Sequence, residues 1–370
     1  MSASTAISLV IGLIALVLGA ELLVRGAASI ATRFGIQPVI IGLTVVAFGT
    51  SAPELAVSVG AAFSGSTDVA FGNVVGSNIV NILLILGASA VVGGLAVSQR
   101  IIRIDVPLLF AVSLVTILLS LDNRIGRLDG AVLFAGVLAY TGWLIRGARR
   151  ETPEVSEEYA DSVEALEVPV VERPLVVQGL LLLAGLAALI IGSQLLVDSA
   201  TTIASVLGLS DLVIGLTVVS IGTSLPELAT SITAAFRGQR DIAVGNVIGS
   251  NLFNLMCVLG ATGLIAPNGV PVSDASLRLD LPVMLAATFV LAPIFWNRFE
   301  IRRWEGMVLV SFYAVFVTYL VLDTSDHDAA SVVGPAALIV TPLVLLTFIV
   351  LGVNGWRRHR AELITESPTR

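Results

Sequence analysis

The sequence predicts an all-α, polytopic membrane protein: two related five-helix halves of inverted topology, plus one extra C-terminal helix. Three observations carry that prediction. The chain of 370 residues is 56% hydrophobic and 13% charged, with a mean hydropathy of +0.97, a composition that points away from a soluble domain. Eleven apolar runs long enough to cross a ~30 Å hydrocarbon core lie at residues 4–24, 36–62, 67–93, 104–121, 129–146, 175–197, 209–236, 241–265, 280–296, 304–322 and 332–354. Finally, Gly42 to Gly87, GLTVVAFGTSAPELAVSVGAAFSGSTDVAFGNVVGSNIVNILLILG, recurs as Gly215 to Gly260, GLTVVSIGTSLPELATSITAAFRGQRDIAVGNVIGSNLFNLMCVLG, at a constant offset of 173 residues.

The first run lacks the basic flank of a signal peptide. It also has its own counterpart, because Gly19-Ala-Glu-Leu-Leu-Val24 aligns at the same offset with Gly192-Ser-Gln-Leu-Leu-Val197. The second and third runs hold the first repeat (about 36–93), and the seventh and eighth hold the second (about 209–266). The repeats start five crossings apart, and an odd number reverses direction through the membrane, so the halves are inverted. Their internal loops agree: Ser64-Gly65-Ser66 is uncharged, whereas Arg237-Gly238-Gln239-Arg240 is basic.

Every basic residue is arginine, and cytoplasmic loops collect arginine. With the N-terminus outside, the cytoplasmic ends receive Arg25, Arg33, Arg100, Arg103, Arg146, Arg149, Arg150, Arg173, Arg237, Arg240, Arg298, Arg302, Arg303, Arg357, Arg358 and Arg360, against Arg124, Arg127 and Arg278 outside. The chain then divides into residues 1–148 (first half), 149–174 (acidic cytoplasmic linker), 175–323 (second half) and 324–370 (extra helix and basic cytoplasmic tail). The linker carries eight acids, Glu151, Glu154, Glu157, Glu158, Asp161, Glu164, Glu167 and Glu172, without the spacing of a calcium-binding loop. It reads as a solvated connection. Glu21 and Asp198, near span ends, read as snorkelling or capping residues, and Asp241 reads as a helix start.

Several chemistries are excluded. The single cysteine, Cys257, allows no disulfide within the chain, and the two histidines, His327 and His359, lie outside the spans. No basic stripe offers a nucleic-acid surface, and no cofactor pattern is present. The polar residues inside the repeats are different. Ionisable groups at membrane depth are costly and functional by default, and each repeat buries one glutamate, Glu54 or Glu227. Gly49-Thr-Ser-Ala-Pro-Glu54 and Gly222-Thr-Ser-Leu-Pro-Glu227 predict broken helices, since proline removes a backbone donor. Such a break turns the carbonyls of Ala47, Thr50, Ser220 and Thr223 into candidate ligands, and irregular backbone at this depth persists only where it is packed or lines a wet cavity. Thr50 and Glu54, like Thr223 and Glu227, share a helical face. In Gly72-Asn-Val-Val-Gly-Ser-Asn-Ile-Val-Asn81 and Gly245-Asn-Val-Ile-Gly-Ser-Asn-Leu-Phe-Asn254, the pairs Ser77 and Asn81, and Ser250 and Asn254, share another. Small and polar residues also serve helix packing, but packing alone does not demand the same Glu, Thr, Ser and Asn at identical spacing in an inverted copy. Together they make an all-oxygen site with two carboxylates, suited to Ca2+ or Na+.

These motifs, GTSAPE with GNVVGSNIVN and GTSLPE with GNVIGSNLFN, resemble the paired α-repeats of the cation/calcium exchanger superfamily, specifically its prokaryotic Na+/Ca2+ exchangers. The resemblance spans both repeats and most of a ten-helix scaffold. It implies alternating-access antiport, with Ca2+ held by Glu54, Glu227 and the carbonyls of Thr50 and Thr223. It also implies Na+ sites drawing on Ala47, Ser51, Ser77, Ser220, Ser224 and Ser250, with Asn81 and Asn254 beside the central position. Asn254 departs from K+-dependent relatives, which have Asp there, and the eleventh helix is additional. The implied activity is Na+-driven Ca2+ extrusion across the plasma membrane. Proton/Ca2+ exchange on the same scaffold and a passive cation channel are the alternatives.

Inversion has a direct test in a Cys257→Ala background. A cysteine at Arg240 should react with an impermeant thiol reagent only from the cytoplasmic side, and one at Ser66 only from outside. Labelling of both from one side refutes the inverted repeat.

Overall fold

The computed structural model describes residues 3–34, 36–64, 67–148, 174–206, 220–296, 299–324, 333–334, 342, 344–355 and 357. The acidic linker from 149 to 173, residues 207–219 at the start of the second repeat, Ser66, both histidines, the side chain of Ser220 and the basic tail beyond 357 lie outside the described residues.

Among the described residues, eight helices are long and apolar enough to span a membrane: α1 (Ser4–Ala31), α4 (Val69–Gly93), α5 (Ile101–Leu119), α6 (Arg127–Gly147), α7 (Leu175–Ala200), α10 (Arg240–Ile265), α11 (Ser276–Trp296) and α12 (Arg303–Asp323). A ninth span is broken, with α2 (Pro38–Thr50) and α3 (Ala52–Phe63) bent by 42°. Its counterpart is described from α8 (Ser220–Thr223) through α9 (Leu225–Phe236). The last apolar run contributes a shorter helix, α13 (Val344–Gly355). Both breaks fall where the proline motif predicts them. Ser51 (φ −81°, ψ 6°) and Ser224 (φ −90°, ψ 8°) leave helical geometry, and Pro53 and Pro226 occupy the second position of the helix that follows, where a missing N–H costs nothing.

Inversion is visible in small details repeated on opposite faces of the membrane. Strands β1 (Leu95–Ala96) and β4 (Glu300–Ile301) pair antiparallel, as do β2 (Arg124–Ile125) and β3 (Val270–Pro271). The two ribbons are images of one another. Val97 N–H donates to the Phe299 carbonyl, and Val272 N–H to the Asn123 carbonyl, both at 2.8 Å. Phe299 and Asn123 are also the only described non-glycine residues with positive φ, 57° and 62°. The helices that follow are capped alike: the Asp129 carboxylate accepts Gly126 N–H and Glu305 accepts Arg302 N–H, each at 2.8 Å.

Lipid tails are as apolar as leucine, so these helices associate through close packing at small residues. Helices α1 and α7 meet along Gly12, Gly19, Gly185 and Gly192, where a Cβ on Gly19 would stand 2.8 Å from the Gly185 carbonyl oxygen. Gly87 of α4 meets Gly306 of α12, and Gly260 of α10 meets Gly130 of α6, again as inverted equivalents. Gly245 and Gly249 of α10 press on α2, with a Cβ on Gly249 only 2.7 Å from Ala47 Cβ. This last contact sets the polar residues of α10 against those of the α2–α3 break. Asp241 lies in the first turn of α10, as its sequence context predicts.

Candidate ion-binding site

The two breaks place Thr50, Ser51 and Glu54 of one repeat against Thr223, Ser224 and Glu227 of the other, with α4 and α10 contributing the asparagine motifs. Neither glutamate has any exposed surface, and Thr50, Ser51, Ser77, Asn81, Thr223, Ser224, Ser250 and Asn254 are all buried. The helix continues through each proline, so Glu54 and Glu227 sit in the first turn of α3 and α9. There the unpaired N–H groups of the helix start favour negative charge.

The hydrogen bonds cross between repeats. Ser51 Oγ donates to Glu227 Oε1 at 3.1 Å, and Ser224 Oγ donates to Glu54 Oε1 at 3.1 Å. Ser250 adds a longer bond to Glu227 Oε1, 3.4 Å, and Ser224 Oγ also lies 3.2 Å from Ser77 Oγ. Each carboxylate is thus held on one oxygen by a hydroxyl of the opposite half. Its second oxygen, Oε2, has no hydrogen-bond partner in either glutamate. Asn81 donates from Nδ2 to Asn251 Oδ1 at 3.2 Å, leaving its own Oδ1 unpartnered, and Asn254 has neither side-chain polar atom engaged.

A second reciprocal bracket involves further polar residues of the same repeats. Asn73 donates to the Glu54 carbonyl at 3.2 Å and to Ser58 Oγ at 3.0 Å, while accepting from Thr223 Oγ1 at 3.3 Å. Asn246 repeats the pattern, donating to the Glu227 carbonyl at 3.4 Å and Ser231 Oγ at 2.9 Å, and accepting from Thr50 Oγ1 at 3.1 Å. Asn73, Ser58, Asn246 and Ser231 all recur at the offset of 173 residues, which is the signal that could have found them. The Ala47 carbonyl keeps a helical partner, the Ser51 N–H at 3.0 Å, with Thr50 Oγ1 at 3.4 Å. Any further ligation there would use its second lone pair. Ser220 opens α8.

Electrostatically the site is acidic and without an internal counter-charge. Among the described residues no arginine is buried, and the sequence has no lysine. The other buried acids are accounted for: Asp105 accepts the Tyr140 hydroxyl at 2.9 Å, and Glu305 caps α12. Buried polar atoms nearly always have partners, so these unpartnered oxygens, two on carboxylates and two on amides, are of the kind that suits a hard cation. Glu21, read from sequence as snorkelling or capping, instead joins two elements. It pairs with Arg25 on its own helix and with Arg237 between α9 and α10, at 2.6 Å to Nη2 and 2.9 Å to Nε.

The asparagine bracket gives a measurable consequence. Asn246→Ala leaves the Thr50 hydroxyl, the Glu227 carbonyl and the Ser231 hydroxyl without their partner, at ~1–3 kcal/mol for each group that stays dry. The thermal midpoint in detergent should fall by several degrees and divalent-cation affinity by about tenfold or more, since ~1.4 kcal/mol is a factor of ten. Asn123→Ala, on the β2–β3 face, should leave affinity unchanged.

Comparison with known proteins places this geometry. The sodium/calcium exchanger protein family matches residues 4–146 and 177–322, leaving out the linker and the last helix. CaxA of Alkalimonas amylolytica is 42% identical over 82% of this chain and 94% of its own length. The sodium/calcium exchanger MaX1 of Methanosarcina acetivorans is 33% identical over 84% of this chain and 97% of its own. Structures of the sodium-calcium exchanger NCX_Mj, one of them soaked with 2.5 mM Na+ and 0.1 mM Ca2+, superpose with a TM-score of 0.73 at 29% identity, covering 86% of this chain and 99% of theirs. The chain is a multi-pass membrane protein that belongs to the sodium/calcium exchanger family, a cation/calcium antiporter of prokaryotic type.

Proposed function

We propose that this protein exchanges Na+ for Ca2+ by alternating access, with Glu54 and Glu227 as the shared charge of the site. The observation that carries the reading is the reciprocal clasp, which fixes one oxygen of each glutamate and leaves Glu54 Oε2, Glu227 Oε2, Asn81 Oδ1 and Asn254 Oδ1 unpartnered in the buried centre. Ca2+ takes these oxygens together with the Thr50 and Thr223 carbonyls, a number within its usual six to eight ligands. Na+ ions use the same carboxylates with Ser51, Ser77, Ser224 and Ser250 and the carbonyls of Ala47 and Ser220. Each ion set neutralises the glutamates, so loading by one excludes the other.

The membrane is the plasma membrane, the N-terminus lies outside and the C-terminus in the cytoplasm, as the distribution of arginine supports. The functional division is two five-helix halves, residues 1–148 and 175–323, joined by the acidic linker 149–174 and followed by the extra helix and tail, 324–370. An inward Na+ gradient then drives Ca2+ out. Two carboxylates and two neutral asparagines give a Ca2+-loaded site of zero net charge. Three Na+, the stoichiometry that the family resemblance implies, give plus one, so transport carries charge and responds to potential at ~2.3 kcal/mol per charge per 100 mV. Asparagine at 254 removes the acid that would call for K+.

The experiment is Ca2+ uptake into proteoliposomes driven by an outward Na+ gradient, in the absence of K+ and with the potential clamped. Uptake should require Na+ and increase when the interior is made positive, because three Na+ leaving for one Ca2+ entering carries one net positive charge outward. Glu54→Gln or Glu227→Gln should each lower it about 100-fold, equivalent to the ~3 kcal/mol of a lost charged ligand. Uptake driven by a proton gradient alone establishes proton coupling instead, and unsaturable flux in both directions establishes a channel.

A further inference from the structure

A cleft that the transport site does not use lies between α11, α12 and α13, with a volume of about 500 Å³. Its walls are apolar: of the lining residues only Arg278 and Tyr319 carry polar side-chain groups. The cleft has a definite depth. Arg278 stands in the first turn of α11 beside the β2–β3 ribbon, and Val290, the deepest α11 residue in the wall, lies twelve positions on, a rise of ~18 Å. Leu83, near the middle of α4, is also part of the wall. Along α11 the wall thus extends over about half of a ~30 Å hydrocarbon core. Val315, exposed on α12, marks where it opens sideways to the bilayer.

We infer that this cleft binds one membrane phospholipid, with its phosphate on Arg278 and an acyl chain lying along the cleft to Leu83. Charge, depth and wall chemistry argue for the same occupant. Arg278 is exposed and enters no ion pair among the described residues, and a guanidinium suits phosphate geometry. The neighbouring acid at the rim, Asp323, accepts the Tyr319 hydroxyl at 3.4 Å. Its presence lets the amine of a zwitterionic head be tolerated, so the feature that Arg278 selects is the phosphate and not net negative charge. A volume of about 500 Å³ falls in the range of small-molecule sites, ~300–1,000 Å³. Phe348 of α13 forms part of the wall and stacks on Trp304 of α12, with ring centroids 5.8 Å apart. The extra helix therefore completes the cleft, which gives this segment outside the ten-helix scaffold a role as one wall of a lipid site.

The test uses the purified full-length chain, stripped with detergent and incubated with dioleoylphosphatidylglycerol, dioleoylphosphatidylethanolamine or dioleoylglycerol, with bound lipid counted by native mass spectrometry. One molecule of either phospholipid should be retained per chain, about fivefold in preference to the diacylglycerol, the contribution of one arginine near a headgroup. Arg278→Gln should abolish the preference, whereas Arg124→Gln, on the same face but outside the cleft, should keep it. Ala287→Trp, which fills the cleft, should reduce retention of all three lipids. Equal retention of phospholipid and diacylglycerol by the parent, or an unchanged preference in Arg278→Gln, would overturn the assignment. Arg278 is exposed, so its replacement leaves the fold intact and the comparison decisive even if Ala287→Trp fails to fold.

Discussion

Two carboxylates buried at membrane depth without a basic side chain near them are the constraint on which the rest of this structure depends. Removing one such charge from water costs several kcal/mol even after the protein relaxes. The fold meets that cost in part, through the helix starts at Glu54 and Glu227 and through one hydroxyl donor to each from the opposite repeat. It leaves the second oxygen of each unpartnered. Under the proposed function the cation supplies that missing interaction, which makes the site specific for what fills it. In that respect the protein keeps at its centre the kind of unsatisfied polar cluster that a structural core avoids.

Inversion explains how one short sequence makes a complete site. Each repeat supplies a glutamate, and the other supplies the hydroxyl that holds it, so neither half has a finished carboxylate clasp alone. The same reciprocity recurs in the asparagine brackets, the glycine contacts of α4 with α12 and α10 with α6, and the two ribbons. Departures from symmetry are then informative. The Glu21 pairing with Arg237 has no counterpart in kind, since the equivalent positions are Gln194 and Ser64. The helix α13 that walls the cleft likewise falls outside the repeated scaffold.

Much of this was legible in the sequence because the controlling patterns are local. Apolar run length set the spans, the odd number of crossings set the inversion, and the glycine and proline of Gly-Thr-Ser-x-Pro-Glu bracketed both helix breaks. The fold class and the family resemblance are confirmed by the helices and by the relatives. What stayed hidden is non-local. Ser51 and Ser224 were readable as ligand candidates but not as donors to the opposite glutamate, since nothing in a repeat says which half its hydroxyl faces. Asn73 and Asn246 passed unremarked because a single polar residue in an apolar helix looks like packing until its three partners are seen. Glu21 passed for a snorkelling residue because Arg237 is 216 positions away.

The central claim is that one buried oxygen cluster serves both ions in turn, and equilibrium binding to the purified protein tests it most directly. Titration with Ca2+ in detergent, monitored by calorimetry at fixed Na+ concentrations, should show one Ca2+ per chain. Its apparent affinity should fall steeply as Na+ rises, with more than one Na+ displacing each Ca2+, and should be indifferent to K+. Ca2+ binding that Na+ leaves unchanged would contradict the account, because it would mean that the two ions do not share the glutamates.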